Sequence, residues 1–270
     1  MTVMPQGTVR CEIEDGVAIV TLDRPESLNS MNNELMADIS SAVVFAEEDS
    51  SVRVLVLTGG GRGFCSGADL STVEAADGEA PHDMGEQTTS GMDDYFHPAI
   101  RALKECSVPT VCRINGVAAG GGLGLSMCCD ISIASRSAFF VATFGPRLGI
   151  VPDLGTTWNL PMRAGRATAL GIAMLGDRFT ADQAVDWGLI WKAVDAEELD
   201  AEVARVVDVF KHSSAEAMTR IRSSIDGAAS RTFSDQLDLE RDHQEVLIPM
   251  NMVEGASAFM EKREPNFSGR

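Results

Sequence analysis

Seven residues, Ala118-Ala119-Gly120-Gly121-Gly122-Leu123-Gly124, constrain this chain more than any other stretch. They follow the apolar run Thr110–Ile114 and the turn pair Asn115-Gly116. They precede Leu125, Met127, Cys128 and Asp130, and then a second apolar run from Ile131 to Ala134. The order predicts strand, tight glycine loop, short helix, strand. Three successive glycines cost conformational entropy, so the backbone must approach something closely there. The first N–H groups of a helix have no partner within it. With no side chains in the way, they suit an anion or an oxygen that becomes one. A close-packed turn at the top of a sheet is the other reading of the same residues.

Charge narrows the partners. The 270 residues carry 40 Asp and Glu against 22 Lys and Arg, a net charge of −18. Such a surface repels nucleic acid and anionic lipid, so neither is expected as a partner, and a phosphate-bearing ligand needs a local basic patch. Hydrophobic content of 44% with only 6% aromatic residues suits an α/β protein built on small aliphatic side chains. Cys11, Cys65, Cys106, Cys112, Cys128 and Cys129 form no CxxC pair, and several sit in apolar runs. That pattern predicts a reduced, cytoplasmic protein with small buried thiols, with neither a disulfide framework nor a metal site. No basic segment followed by an apolar core opens the chain, and no apolar run reaches membrane length.

Along the chain, Val9–Ile13 and Val17–Leu22 flank Glu14-Asp15-Gly16 and read as a hairpin with an Asp-Gly turn. Asn29 or Ser30 is the expected cap of a helix bearing Met31, Leu35, Ile39 and Val43. Val52–Leu57 reads as a strand covered on both faces. The loop Thr58–Gly67 holds five glycines, and a helix is expected near Ala68-Asp69. From Thr72 to His97 the pattern dissolves into an acidic, irregular lid. A helix is expected from Pro98, a strand over Phe139–Thr143, a loop over Phe144–Asp153, and a helix from about Leu154. Thr180-Ala-Asp-Gln predicts a capping box. Leu199–Phe210, Ala215–Gly227, Phe233–Leu247 and Met252–Lys262 read as amphipathic helices. Residues 1–195 thus form a ββα-repeating core, and 196–270 a helical appendage of the kind that serves assembly.

Two glycine-rich loops, Gly59–Ala68 and Gly120–Gly122, each follow a strand and precede a helix. Neither fits G-x-G-x-x-G, and the P-loop lysine is absent. What remains is a pair of backbone N–H donors converging on one point. That arrangement stabilises an oxyanion, and each such donor is worth about 3 kcal/mol of barrier.

Together with these loops, Arg24-Pro25-x-x-x-Asn29, Gly63-Phe64-Cys65-Ser66-Gly67-Ala68-Asp69-Leu70 and Asn115-Gly116-x-Ala-x-Gly-Gly-Gly carry a family likeness. So do Cys129-Asp130-Ile131, Leu148-Gly149-x-x-Pro152-Asp153, Gly176-x-x-Phe-Thr-Ala181 and Glu254-Gly255-x-x-Ala-Phe259-x-Glu-Lys262. The chain closely resembles the enoyl-CoA hydratase/isomerase (crotonase) superfamily from about Gly7 to Phe267. The resemblance implies an α/β fold, a crotonase-like spiral of ββα units with a C-terminal helical trimerisation region, assembled as a homotrimer or a dimer of trimers. It implies an acyl-CoA thioester whose carbonyl oxygen accepts from the N–H groups of Ala68 and Gly121. No tightly bound cofactor is implied, coenzyme A being part of the substrate. The nucleotide end is expected against Glu26, Ser27, Leu28 and Ala68, with Phe259 and Lys262 reaching it from a neighbouring subunit. Arg24, Lys262 and Arg263 are candidate positive charges, of which the motif favours Lys262.

The general acid/base departs from that pattern. Hydratases of the superfamily carry two glutamates where this chain has Gly124 and Gly145. Glycine neither holds nor activates a water. Asp153 stands where isomerases carry a proton-shuttling Asp, beside the apolar Ile150, Val151 and Leu154; its other reading is a helix cap. The expected activity is therefore a double-bond shift in an enoyl-CoA. The alternatives are hydration through a non-standard base and a non-catalytic acyl-CoA binder. His82, Asp83, Glu86 and His97 of the lid are candidates for a second acid/base, with surface solvation the favoured reading. Arg147 is a candidate ion-pair partner that would lower the Asp153 pKa. Phe144, Trp158 and Leu160 are expected to shape the acyl pocket, and Cys65 and Cys128 to be inert fillers.

Overall fold

Among the described residues the strands are β1 (Thr2–Val3), β2 (Val9–Glu14), β3 (Val17–Leu22), β4 (Val54–Gly59) and β5 (Thr110–Ile114), then β6 (Ala118–Ala119), β7 (Ile131–Ser135), β8 (Phe139–Val141), β9 (Phe179–Thr180) and β10 (Lys192–Val194). The computed structural model describes residues 2–4, 7–72 and 83–267. The main sheet has the order β1-β2-β3-β4-β5-β7-β10, and a small one the order β6-β8-β9. Strands β2 and β3 form the hairpin read from the sequence. Its two central residues, Asp15 at φ 50° and Gly16 at φ 77°, are both left-handed, as a twist-matched two-residue turn requires. From β3 through β4, β5 and β7 to β10, every pairing is parallel.

All six residues of β4 are buried, and alternation sends them to two different cores. Leu55 and Leu57 join Leu35, Met36, Ile39 and Val43 of α1 (Asn33–Glu48). Val54 and Val56 join Val111 and Ile133 and face the opposite way. The cap of α1 is Asn32, whose side chain accepts from Leu35 N at 2.9 Å, rather than Asn29 or Ser30. Asn29 is instead fully buried and engaged elsewhere.

The helix expected near Ala68-Asp69 reduces to a single 3-10 turn over Leu70–Thr72, and residues 73–82 of the acidic lid lie outside the described residues. The rest of that lid is ordered helix, contrary to the irregular expectation. Helix α2 (Met84–Gly91) runs through a π-helical turn, Met92–Phe96, into α3 (His97–Lys104). Pro98 therefore lies at the start of a helical segment that continues an existing helix. The reason the pattern misleads is that α2 buries none of its residues and α3 only Ala99 and Leu103, so little apolar periodicity is required.

Helix α4 (Gly121–Ser126) is buried along its whole length. Strand β8 stops at Val141, short of the expected Thr143, and Phe144–Leu148 form a π-helical turn where a loop was expected. Helix α5 (Thr156–Leu175) starts two residues later than predicted, after Leu154 and Gly155, both left-handed. The capping box at Thr180 is present and opens α6 (Ala181–Asp186). Helix α7 (Leu199–His212) lays Leu199, Val203 and Val206 on the second face of the sheet.

Helix α8 (Ala215–Asp226) is tied to the sheet by one side chain. Arg222 donates from Nε to Asp130 Oδ1 at 2.6 Å and from Nη2 to Asp130 Oδ2 at 2.7 Å. It also reaches the carbonyls of Lys104, Cys106 and Val108. The two C-terminal segments read separately from the sequence are one helix, α9 (Phe233–Glu261), which passes Pro249 without a break. No helix among the described residues is long and apolar enough to cross a membrane.

Arg222→Ala strands a carboxylate and three carbonyls in a largely buried site, with Arg222 only 10% exposed. Breaking such a pair on one side costs about 3 kcal/mol of unfolding free energy, and urea titration reads it directly. Arg241→Ala, at an exposed pair with Asp238 and Asp242, leaves the urea midpoint where it is.

Candidate active site

The loop between β4 and the 3-10 turn is held by the buried side chain of Asn29. Its Nδ2 donates to the carbonyls of Gly60, Gly63 and Phe64 at 3.0, 2.9 and 3.1 Å, and its Oδ1 accepts from Arg24 N at 3.0 Å. Two parallel bridges then fix the loop's end. Cys65 pairs with Ala118, and Met31 pairs with Ala68. In the second, Met31 N donates to Gly67 O and Asp69 N donates to Met31 O, both at 2.8 Å. That register uses the groups on either side of Ala68 and leaves its own N–H pointing away, with no protein acceptor among the described residues.

The glycine cluster comes up beside it. Gly120 donates to Val141 O at 2.9 Å and takes φ 53°, which turns the chain into α4. Gly121 is the first residue of that helix, so its N–H has no partner within it, and none is found elsewhere among the described residues. Space is tight here, with backbone in the way at 67 and 122 and side-chain ends in the way at 121. A Cβ on Gly121 would run into Met31 Cε and lie 2.9 Å from Leu154 Cδ1; one on Gly122 would run into Cys65 O. Gly67, at φ 96°, would meet Ala119 O at 2.8 Å.

A cavity of about 80 Å³ opens where the two loops meet. Ala68, Gly121 and Asp153 all line it, with Met31, Phe96 and Leu154 among the apolar walls. Asp153 does not cap α5: the cap residue is Gly155, without any side-chain bond, and Asp153 contributes only its carbonyl, to Thr156 N at 2.8 Å. Its Oδ1 is buried without a hydrogen-bond partner. Desolvation holds the Asp153 carboxyl above the ordinary carboxylate pKa, offset in part by its own backbone N–H and by the charge of His97.

Among the described residues Arg147 forms no ion pair with Asp153, and in place of the expected lowering burial raises the Asp153 pKa. His97 is not simply solvated: it sits 3.1 Å from Asp93 Oδ1, and its charge reaches Asp153. Asp83 accepts from Gln87 on the exposed face of α2, and Glu86 is exposed; neither lines the cavity, and His82 lies outside the described residues. Phe144 lines the cavity as expected, but Trp158 and Leu160 do not. Trp158 is turned to the surface beneath Lys104, and Leu160 is buried in the core. Cys65 and Cys128 are buried, and desolvation pushes both thiols up to about 12, which keeps them protonated and inert.

The two glycines at the expected glutamate positions differ. A Cβ on Gly145 would meet only Ala173 O, at 3.2 Å, whereas one on Gly124 would meet Thr156 Oγ1 at 2.7 Å and Leu154 Cβ at 3.0 Å. A side chain at 124 would require Thr156 and Leu154 to shift.

Beside the cavity, Glu26 and Ser27 lie in a 3-10 turn and Leu28 is left-handed at φ 54°. The turn is joined to the loop by Ser66, which donates from N to Leu28 O and from Oγ to Ser27 O. Arg24 is spent on Asp69 at 2.7 Å, and the Ser71 hydroxyl together with Arg24 holds the Asp69 carboxyl down at about 2. Arg263 is likewise engaged, by Glu254 and Glu261. Of the three candidate cations, Lys262 alone has no carboxylate within ion-pair reach among the described residues. It follows the exposed Phe259 at the left-handed end of α9.

Residues 12–270 match the enoyl-CoA hydratase/isomerase family. The 1,2-epoxyphenylacetyl-CoA isomerase of Escherichia coli is 42% identical over 260 residues, covering 96% of this chain and 97% of that protein. A probable enoyl-CoA hydratase of Rhodobacter capsulatus is 36% identical, with 99% and 100% covered. Among solved structures, an enoyl-CoA hydratase from a Polaromonas species superposes with a TM-score of 0.87 at 32% identity, over 96% of this chain and 99% of the other.

An unpartnered carboxyl with a raised pKa makes the protein less stable once it ionises. The benefit of the protonated form is complete below the ordinary carboxylate pKa and lost as pH rises through the raised value. Asp153→Asn is therefore expected to melt higher than the wild type at neutral pH, with the difference shrinking as pH falls from about 8 to about 4. Thermal melts across that range check it.

Proposed function

The chain belongs to the enoyl-CoA hydratase/isomerase family, and on that premise we propose that it shifts a double bond of an enoyl-CoA, with Asp153 carrying the proton. The observation that supports this reading is the shared cavity: two unpartnered N–H groups and one desolvated carboxyl line the same small space. The thioester oxygen accepts from Ala68 and Gly121. Asp153 takes a proton from carbon, and the electron pair of that C–H bond moves to the oxygen as a dienolate. The N–H dipoles stabilise this charge more than the starting carbonyl, which is what lowers the barrier. The acid form of Asp153 then returns the proton at the other end of the conjugated system. Nothing is consumed, and no second base is needed.

Hydration would need a group to activate water. Glycine at 124 and 145 argues against it, since neither position carries a group that could do so. The 42% identical relative named as an isomerase also favours isomerisation, and makes an aryl-substituted acyl group a second substrate to examine. The same reading gives the turn Glu26-Ser27-Leu28 and Ala68 to the coenzyme A portion, with Phe259 and Lys262 supplied by a neighbouring copy and no other cofactor. It takes the protein as cytoplasmic, and as a homotrimer or dimer of trimers built through residues 196–270. Phe233, Val253, Phe259 and Met260, all about 80% exposed on α9, support assembly there.

The test is turnover of 3-enoyl-CoA, 2-enoyl-CoA and 1,2-epoxyphenylacetyl-CoA. Isomerisation is expected to exceed hydration, and Asp153→Asn to slow it by roughly 100- to 10,000-fold. Undiminished isomerisation in the variant would remove Asp153 from the mechanism. Tight binding of all three with no turnover would make the protein an acyl-CoA binder instead.

A further inference from the structure

Leu154 stands apart from the rest of the cavity wall. It is a non-glycine residue held at φ 49°, a conformation that costs an L side chain free energy and persists only where the surroundings impose it. It is nonetheless buried, at 3% exposure. Its side chain lies along one side of α4, with Cβ 3.0 Å from where a Cβ of Gly124 would stand and Cδ1 2.9 Å from that of Gly121. The next residue, Gly155, is also left-handed, so the pair turns the chain sharply between Asp153 and α5. Around Leu154, three buried side-chain oxygens lack any partner: Asp153 Oδ1, Thr156 Oγ1 and Asn159 Oδ1. Apolar bulk occupies the middle of a polar patch.

We propose that Leu154 is a positioning residue that keeps water from Asp153, so that the proton removed from one carbon is returned to another before it exchanges with solvent. This rests on the proposed isomerisation. In the step itself a C–H bond breaks, the proton joins a carboxylate oxygen of Asp153, and the electron pair passes to the thioester oxygen. On return the O–H bond breaks, a new C–H bond forms, and the carboxylate is regenerated. Between the two halves the carboxylic proton is open to exchange with any water that reaches it. Leu154 lines the cavity with Asp153 and fills the space beside Gly121 and Gly124, so truncating it opens room for water next to the acid. Its strained backbone is what allows Asp153 and the plug to be adjacent in sequence and yet face the same cavity.

The experiment isomerises a protiated 3-enoyl-CoA in deuterium oxide and reads deuterium in the product by mass spectrometry at early times. It uses the wild type, Leu154→Ala, Leu154→Gly and Leu154→Met. The wild type and Leu154→Met are expected to return mostly protium. Leu154→Ala and Leu154→Gly are expected to raise the deuterated fraction roughly threefold or more, because water then reaches the acid. Leu154→Gly also relaxes the left-handed backbone, so it folds even if the alanine variant does not. The deuterated fraction reflects exchange competing with return of the proton, so kcat is measured alongside it, and deuterium that rises only in proportion to a fall in kcat counts against the proposal. Equal deuterium in the wild type and both truncations overturns the proposal for Leu154 while leaving isomerisation by Asp153 intact. Absence of isomerisation in the wild type overturns the functional reading on which it rests.

Discussion

Everything at the site depends on how closely two backbones approach. Residues 65–68 and 118–122 run closely against one another, and glycine at 67 and 122 is the condition for it. The hydrogen bonds follow from that closeness. Cys65 N donates to Val117 O and Ala119 N to Cys65 O, each at 2.9 Å, while Met31 takes up Gly67 and Asp69. Each bond that fixes the loops also uses up a neighbour of the two remaining donors. Ala68 and Gly121 are left over because the register around them is complete.

The same logic explains why an acidic protein tolerates a desolvated carboxyl. Other polar side chains of the core are firmly paired: Asn29 satisfies three carbonyls, and Asp130 is gripped by Arg222 and Thr110. Asp153 differs from these, because among the described residues its buried Oδ1 has no partner, and it shares that state with the neighbouring Thr156 Oγ1 and Asn159 Oδ1. Carboxyls desolvated in this way concentrate at functional sites, which is the ground for proposing Asp153 as the proton carrier. The raised pKa keeps the carboxyl a stronger base than an exposed one, and the apolar walls keep it from being solvated. The left-handed Leu154 adds a second local cost at the neighbouring position.

The hairpin, the parallel core and the Thr180 capping box were legible from alternation and turn chemistry, because each is decided by contacts close in sequence. The pairing of two glycine loops was also legible, since runs such as Gly120-Gly121-Gly122 have few other uses. What escaped has a common cause. The helical stretch from Met84 to Lys104 rests on few buried residues, so apolar spacing says little about it. Asn29 has the chemistry of a cap, but tertiary contacts claim its side chain for another loop while Asn32 takes the cap. The αL conformation of Leu154 has no signal in its residue type at all, and only its backbone φ of 49° reveals it. For Asp153, position beside Leu154-Gly155 suggested a helix cap, and burial of its oxygen is what argues otherwise.

The central claim is that the free N–H groups of Ala68 and Gly121 act on a thioester carbonyl inside the Asp153 cavity. Vibrational difference spectroscopy of a saturated acyl-CoA carrying carbon-13 at the thioester carbonyl tests it without any turnover. Two donors aimed at the oxygen weaken the C=O bond, so the stretch is expected to fall well below that of the free ligand in water. A bound ligand whose carbonyl stretch stays at its value in water would contradict the account.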